Sequence, residues 1–321
     1  MEKKDLKIVF FGTPDFAVES LKRLVEGGYN VVGVVTMPDK PAGRGHHLLQ
    51  SDVKKYAVEN GLHLMQPVKL KDEEFVNELR GLNADLFIVI AFRMLPEVVW
   101  TMPPLGTFNL HASLLPKYRG AAPINWAVMN GETETGVTTF FLKHEIDTGD
   151  VIQQKSLPIG RKDNVETIHD GLMMMGAGMV IETVDAIIAG TVKPIPQSEM
   201  LTAGEKSTPA PKIFKDTCRI DWNWCAEKVY NHVRGLSPYP AAWAEIVDAA
   251  GKVYAVKIFE TSEPEAPSAN LVPGTLTTDG KRLWVACADA KIEILSLQMA
   301  GKRRMPTADF LRGFNIEGCH C

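Results

Sequence analysis

The stretch Asp85-Leu86-Phe87-Ile88-Val89-Ile90-Ala91 decides the fold class. Its middle is apolar at every position, so a strand built from it has no face to offer to water. Such a strand must be covered on both sides, which happens where helices pack on both faces of a mostly parallel sheet. Leu6–Phe11 (Leu-Lys-Ile-Val-Phe-Phe) is a second buried strand candidate and runs into Gly12-Thr13-Pro14-Asp15. There Thr13 reads as a helix N-cap, Pro14 as the first helical residue and Asp15 as an acid that complements the helix dipole. Phe16, Leu21, Leu24 and Val25 then recur at helical spacing until Gly27-Gly28 stops them.

The alternation continues outward in both directions. Val31–Val35 reads as a strand, 53–59 as a helix, Leu62–Met65 as a short strand and 72–82 as a helix. After the central strand come a strand through Asn109, a helix near 124–129, a strand at Gly136–Leu142 and a long helix over about 165–188. This order predicts an α/β fold, a doubly wound, mostly parallel, Rossmann-like sheet filling residues 1–189. Residues 190–208, with Pro194 and Pro196 among Ser, Thr and Gly, read as a linker. Beyond it a helix at 223–233 precedes short alternating strands at Ala242–Val247, Val253–Phe259, Gly274–Thr277, Leu283–Ala286 and Lys291–Leu297. They predict a C-terminal OB-like β-barrel domain over 209–321.

Hydrophobic residues make up 45% and charged residues 23%, which is ordinary soluble usage. No apolar run of membrane-spanning length is read, and the opening Met-Glu-Lys-Lys-Asp-Leu-Lys has no signal-peptide pattern, so a cytoplasmic protein is expected. Cys218, Cys225, Cys287, Cys319 and Cys321 are an odd set without a framework spacing, and reduced thiols are expected. The end Gly318-Cys319-His320-Cys321 is read as a flexible tail and not as a metal site, because adjacent ligands on a free end fit one tetrahedral shell poorly. The net charge of −4 argues at face value against a nucleic-acid partner, but phosphates respond to local patches.

Gly106-Thr-Phe-Asn109-Leu-His111-Ala-Ser-Leu-Leu-Pro116 carries the chemistry. Asn109 and His111 lie two apart, so on a strand both leave the same face and can converge on one carbonyl oxygen. Doubly wound sheets bind ligands outside the carboxyl ends of their strands, where this pair sits. With Asp147 farther along, the set suits acyl transfer to an amine: two donors for an oxygen that turns negative, and a carboxylate to steady the imidazole or relay a proton. Ser113 is not read as a nucleophile, because a Leu-Leu-Pro turn is not the sharp strand–helix elbow such serines occupy.

The segment Asn109–Pro116, followed by Arg119-Gly-Ala-Ala-Pro-Ile, Glu132-Thr-Glu-Thr-Gly-Val and Asp147-Thr-Gly-Asp150, resembles the formyltransferase family that uses 10-formyltetrahydrofolate. Phe11-Gly-Thr-Pro-Asp-Phe16, Pro38-Asp-Lys-Pro-Ala-Gly-Arg-Gly45 and the Pro-rich junction before Arg219-Ile-Asp-Trp222 extend the resemblance over essentially the whole chain. They also narrow it to the branch acting on initiator tRNA. The resemblance implies that Asn109, His111 and Asp147 are catalytic and that Ser113, Leu114, Leu115 and Pro116 contact the folate. It implies that Phe92, Arg93, Met94 and Leu95 hold the pterin, although the family usually carries Ala-Tyr-Gly where this chain has Ala91-Phe92-Arg93. The implied co-substrate is 10-formyltetrahydrofolate, without a metal, and the implied acceptor is initiator methionyl-tRNA bound by a monomer. Lys40 and Arg44, in the Asp39–His47 arm, and Lys212, Lys215, Arg303 and Arg304 would contact the tRNA. Other members of the family act on sugar amines or on glycinamide ribonucleotide, and related domains hydrolyse formyltetrahydrofolate. A catalytically idle RNA-binding protein on the same scaffold is a further alternative, against which the complete Asn/His/Asp set argues.

Overall fold

The computed structural model describes residues 2–42, 47–201 and 207–321. Its elements run β1 (Lys7–Gly12), α1 (Asp15–Glu26), β2 (Asn30–Val35), β3 (Lys40–Ala42), β4 (His47–Leu49), α2 (Asp52–Glu59), β5 (Leu64–Met65), α3 (Glu73–Gly81), β6 (Leu86–Ile90) and α4 (Glu97–Trp100). They continue with β7 (Thr107–His111), β8 (Arg119–Gly120), α5 (Pro123–Met129), β9 (Glu134–Phe141), β10 (Val151–Pro158), α6 (Val165–Ala189) and β11 (Pro209–Ala210). The remainder holds α7 (Ala226–Leu236), β12 (Ala242–Val247), β13 (Val253–Thr261), β14 (Leu276–Thr278), β15 (Leu283–Ala286), β16 (Lys291–Met299), β17 (Met305–Pro306) and α8 (Thr307–Gly313). Two compact units result. The first takes 1–120, 135–157 and 169–209, and the second takes 121–134, 158–168 and 210–321.

In the first unit seven strands form one sheet in the order β10-β9-β7-β6-β1-β2-β5. β1, β2, β5, β6 and β7 are parallel neighbours, and β9 runs antiparallel to β7. The apolar run of β6 is buried throughout. Phe87 and Val89 join Val9, Phe11 and Val35 in a core with Phe75, Val76 and Leu79 of α3. Their neighbours Leu86, Ile88 and Ile90 point the other way and are equally inaccessible, so both faces are covered as the sequence requires. The strand order reverses at β1–β6, where Gly12 lies beside Ile90. Sheets of this kind take ligands at such a switch point, outside the carboxyl ends of their strands.

Three expectations are corrected. Helix α1 starts at Asp15 with Pro14 as its N-cap, and the Thr13 hydroxyl is buried, has no partner among the described residues and does not cap it. Asp15 caps locally instead, accepting from the Phe16 N–H at 2.9 Å. Helix α6 is long and apolar enough, by length and composition, to cross a membrane. Its Leu172, Ala177, Met179, Val180 and Val184 are fully buried. Gly176 passes so close to the Leu110 side chain that a Cβ there would lie 2.7 Å from it, and Thr183 bonds Thr139 on β9.

The third correction concerns the C-terminal residues. The second unit contains an antiparallel sheet in the order β12-β13-β16-β15-β14, with β17 on β16. Its edges are β12 and β14, and His320 bridges both, through Val247 and Thr275. The Val247 N–H donates to the His320 carbonyl at 2.7 Å, the His320 N–H returns to Val247 at 3.0 Å, and the Cys321 N–H reaches Gly274 at 2.9 Å. The segment expected to be a free tail therefore closes the curled sheet, satisfying edge groups that would otherwise face solvent. The result is the small barrel expected from the sequence. Helix α7 fills it with Val229, Tyr230, Val233 and Leu236.

His232 on α7 is buried beside Trp224, with ring centroids 5.1 Å apart, and its Nε2 has no partner among the described residues. Burial lowers its pKa from 6.5 to about 4. Because the folded value lies below the unfolded one, the unfolded chain binds the extra proton first as pH falls. Stability is therefore expected to drop between about pH 6.5 and 4, by on the order of 3 kcal/mol from this residue. Urea unfolding of the wild type and of His232→Gln across that range checks it: the two curves should diverge on acidification, with the variant less pH-sensitive.

Candidate active site at the carboxyl ends of the central strands

Register places Asn109 beside Val89 on β6 and Phe140 on β9, and His111 opposite Thr138. The two side chains share a face, as their spacing requires. His111 is 7% exposed. Its Nε2 lies 2.8 Å from the Tyr118 carbonyl. A carbonyl only accepts, so Nε2 carries the hydrogen and donates it. Nδ1 then faces the Asp147 carboxylate, 3.8 Å from Oδ2. In the neutral ring Nδ1 is a lone pair, and only the imidazolium makes this contact a charge pair.

Asp147 sits at φ +54°, a left-handed turn that aspartate tolerates better than most residues. Its Oδ2 accepts the Gly120 N–H at 3.0 Å. Gln197 donates its Nε2 to the carbonyls of Asp147 (2.9 Å) and Gly149 (2.8 Å), and its Oε1 accepts from Nε and Nη2 of Arg119. The structure thus brings His111 and Asp147 together, with Asn109 on the same face of β7 as His111. Among the described residues the Asn109 carboxamide has no hydrogen-bond partner, and it is only half-buried. It is free to donate elsewhere.

The Ser113–Pro116 turn follows directly. Ser113 is fully buried and donates its hydroxyl to the Lys117 carbonyl at 2.7 Å, so the oxygen is committed to the turn. Thr138 ties the turn down by donating to the Ser113 carbonyl at 2.6 Å and accepting the Leu115 N–H at 3.1 Å. Gln154 adds bonds to the Leu115 carbonyl and to the Thr138 hydroxyl. Leu115 and Pro116 are buried, and Leu114 is half-buried.

Residues 92–95 leave the end of β6 after Ala91, which takes φ +46°. Leu95 belongs to the core below the sheet, so only its backbone faces outward chemistry. Phe92 packs edge-on to Phe11 at 5.8 Å, and Met94 is exposed. Arg93 folds back and donates to the carbonyls of Pro67 and Val68, leaving its Nε buried and without a partner among the described residues. Burial pulls its guanidinium below the usual arginine range. The arginine therefore braces this loop from behind.

A family model described as formyl transferase matches residues 6–184, and one described as formyl transferase, C-terminal domain, matches residues 212–315. The chain belongs to the formyl transferase family. The methionyl-tRNA formyltransferase of Bacteroides fragilis is 65% identical, over 98% of this chain and 97% of its own. That of Bacteroides thetaiotaomicron is 64% identical over 98% of each. Among solved structures, the N-formyltransferase of Helicobacter canadensis in complex with folinic acid and dTDP-3-aminofucose matches the fold. Its TM-score is 0.66 at 19% identity, covering 90% of this chain and 98% of that one.

In this formyl transferase the described ends of the Asp39–His47 arm, read from sequence as a loop, are short strands that pair antiparallel, Lys40 with Leu49 and Pro41 with Leu48. Lys40 is exposed, and Arg44 lies outside the described residues. The root of the arm is fixed: Asp39 accepts from Lys54 at 2.6 Å and from Gln66 at 3.0 Å, and Lys54 holds its carboxyl below the usual range. In the second unit, Lys215 and Arg219 cover the two-ring face of Trp243, 5.3 and 5.4 Å from its centre, and Trp243 donates to the Lys215 carbonyl. Lys212 lies 5.7 Å over the exposed Phe214. Arg303 and Arg304 are exposed, and Arg304 is held over Phe259 and by Ser296. Lys212, Lys215, Arg219 and Arg304 thus each lie over an aromatic face.

Reasoning from sequence missed Gln197, Thr138 and Gln154. Thr138 and Gln154 lie on strands as ordinary polar positions. Thr138→Val keeps the shape but leaves the Leu115 N–H and the Ser113 carbonyl each short of a partner. Denaturant unfolding should show a loss of about 1–3 kcal/mol.

Proposed function

We propose that this chain transfers the formyl group of 10-formyltetrahydrofolate to the α-amino group of methionyl-tRNA, giving N-formylmethionyl-tRNA for translation initiation in the cytoplasm. The observation that carries the reading is the uncommitted Asn109 carboxamide beside the facing His111–Asp147 pair. The close relatives bearing that activity in their names, at 65% and 64% identity, support the choice of acceptor.

The roles follow from which atoms remain available. The Asn109 amide donates to the formyl oxygen as it turns negative. His111 has given its Nε2 hydrogen to Tyr118, so its second contribution is the Nδ1–H of the imidazolium, aimed at the same oxygen or at Asp147. Donors of this kind are each worth about 2.7–4 kcal/mol of barrier where measured. The Asp147 carboxylate steadies that cation and takes up, directly or through a water, the proton that the attacking amine must lose. An α-amino group, with a baseline pKa of about 7.7–8.0, is partly neutral at cytosolic pH and needs no covalent relay. The balance is simple: the formyl carbon gains a bond to the amine nitrogen and loses its bond to N10, which accepts a proton. Aryl substitution at N10 weakens the amide resonance of the donor, so orientation and oxyanion stabilisation suffice.

The braced backbone of Ser113–Pro116, the backbone of Phe92, Arg93 and Leu95, and the exposed Met94 form the pterin-side contacts in this reading. Lys40 and Arg44 meet the acceptor end of the tRNA. Lys212, Lys215, Arg303 and Arg304 track phosphates, and the binding they give should weaken steeply with added salt. The chain is read as working as a monomer.

Incubation with 10-formyltetrahydrofolate and methionyl-tRNA should yield formylmethionyl-tRNA. Release of formate alone would instead point to hydrolysis. Asn109→Ala and His111→Ala should each lose at least about 10²-fold in turnover while still binding folate. Near-full rate in either would remove the assigned oxyanion role.

A further inference from the structure

We propose that Gln197, oriented by Arg119, is a positioning residue that keeps the Asp147 carboxylate facing His111. The proposal deepens the reading above and rests on the role given there to Asp147.

Both polar side-chain atoms of Gln197 are used. It is 3% exposed, so it has little access to water and must find its partners inside the fold. Its Oε1 takes Nε and Nη2 of Arg119, at 3.1 and 2.6 Å. A guanidinium only donates, so this contact fixes which end of the carboxamide faces Arg119. The other end, Nε2, then faces the Asp147 and Gly149 carbonyls, at 2.9 and 2.8 Å. These two carbonyls flank Thr148, so the turn is gripped on either side of its middle. Gly149 leaves the turn little freedom, because a Cβ there would lie 1.5 Å from the Phe141 carbonyl oxygen.

Arg119 and Gly120 act on the same acid by two routes. The Gly120 N–H holds Oδ2 directly, at 3.0 Å, and the Arg119 side chain holds the backbone through Gln197. Tyr118, one residue earlier, supplies the carbonyl that fixes His111. The imidazole and the carboxylate are thereby referred to one short segment. A misplacement of about 1 Å in such a group can cost about 10²-fold in rate.

Gln197→Glu separates positioning from folding. The carboxylate keeps Arg119 as an ion-pair partner but cannot donate to two carbonyls, so the grip on 147–149 is lost while the buried pair remains. The expected result is a fall in kcat of about 10-fold or more, with KM for both substrates changed less than about twofold. Amide hydrogen exchange should accelerate in 143–150 and stay unchanged elsewhere in the first unit. Arg119→Lys, which still donates to Oε1, should retain more of the rate than Arg119→Met, and this pair carries the test if Gln197→Glu does not fold. Rate and exchange must move together; a change in either alone overturns the proposal. If the unaltered protein makes no formylmethionyl-tRNA at all, the functional reading fails. The exchange data then decide by themselves: faster exchange in 143–150 upholds the grip and unchanged exchange refutes it.

Discussion

A buried imidazole needs an acceptor for the hydrogen it carries, and at His111 that acceptor is the Tyr118 carbonyl. This one bond decides the tautomer, and the tautomer decides what the site can do. It turns Nδ1 toward Asp147 and leaves Asn109 as the only amide donor not already engaged among the three residues. The bond exists because β7 ends where the chain must turn back, and the turn is tied to β9 through Thr138. Strand register, turn and imidazole are thus parts of a single hydrogen-bonded system. Loosening any of them rotates the ring.

Much of this was legible in the amino-acid sequence because it follows from burial and period. The unbroken apolar run of β6 could only be a central strand, and the two-residue spacing of Asn109 and His111 put them on one face. The approach of Asp147 to His111 had no local signal; it rested on resemblance to a family and is set by a turn whose backbone is held from elsewhere. Thr13 looked like a cap because of its residue type, yet Pro14 took that position with its extended backbone. Strand β10 was not foreseen because it is an edge strand with half-exposed residues, which needs no apolar run. The closing bridge at His320 was invisible for a related reason: it pairs through backbone atoms alone, and Cys-His-Cys carries no strand pattern. Gln197 lay in a Pro-rich stretch whose composition says only that it is not a regular element.

Charge in the second unit illustrates why a whole-chain balance of −4 is a poor guide. Lys215 and Arg219 lie on Trp243, Lys228 on Trp224, Arg282 on Trp284 and Arg304 on Phe259. Each aromatic face holds a cation that would otherwise sample many rotamers; Arg219 and Arg282 are also paired with Glu245 and Asp279, whereas Lys215, Lys228 and Arg304 have no ion-pair partner among the described residues. Ordered positive charge of this kind is available to phosphates at lower entropic cost than free lysine side chains.

The second unit is threaded from three separate stretches of chain, 121–134, 158–168 and 210–321. Met129, on α5, belongs to its core, where Gly235 comes so near that a Cβ would lie 2.5 Å from the Met129 side chain. Tyr230 and Arg234, on α7, bond the carbonyls of Arg161 and Asp163. A gene fragment beginning in the Pro-rich junction would therefore be an incomplete body, lacking α5 and the 158–168 segment. Evolutionary exchange of this barrel for another would meet the same obstacle, because it cannot be unplugged at a single seam.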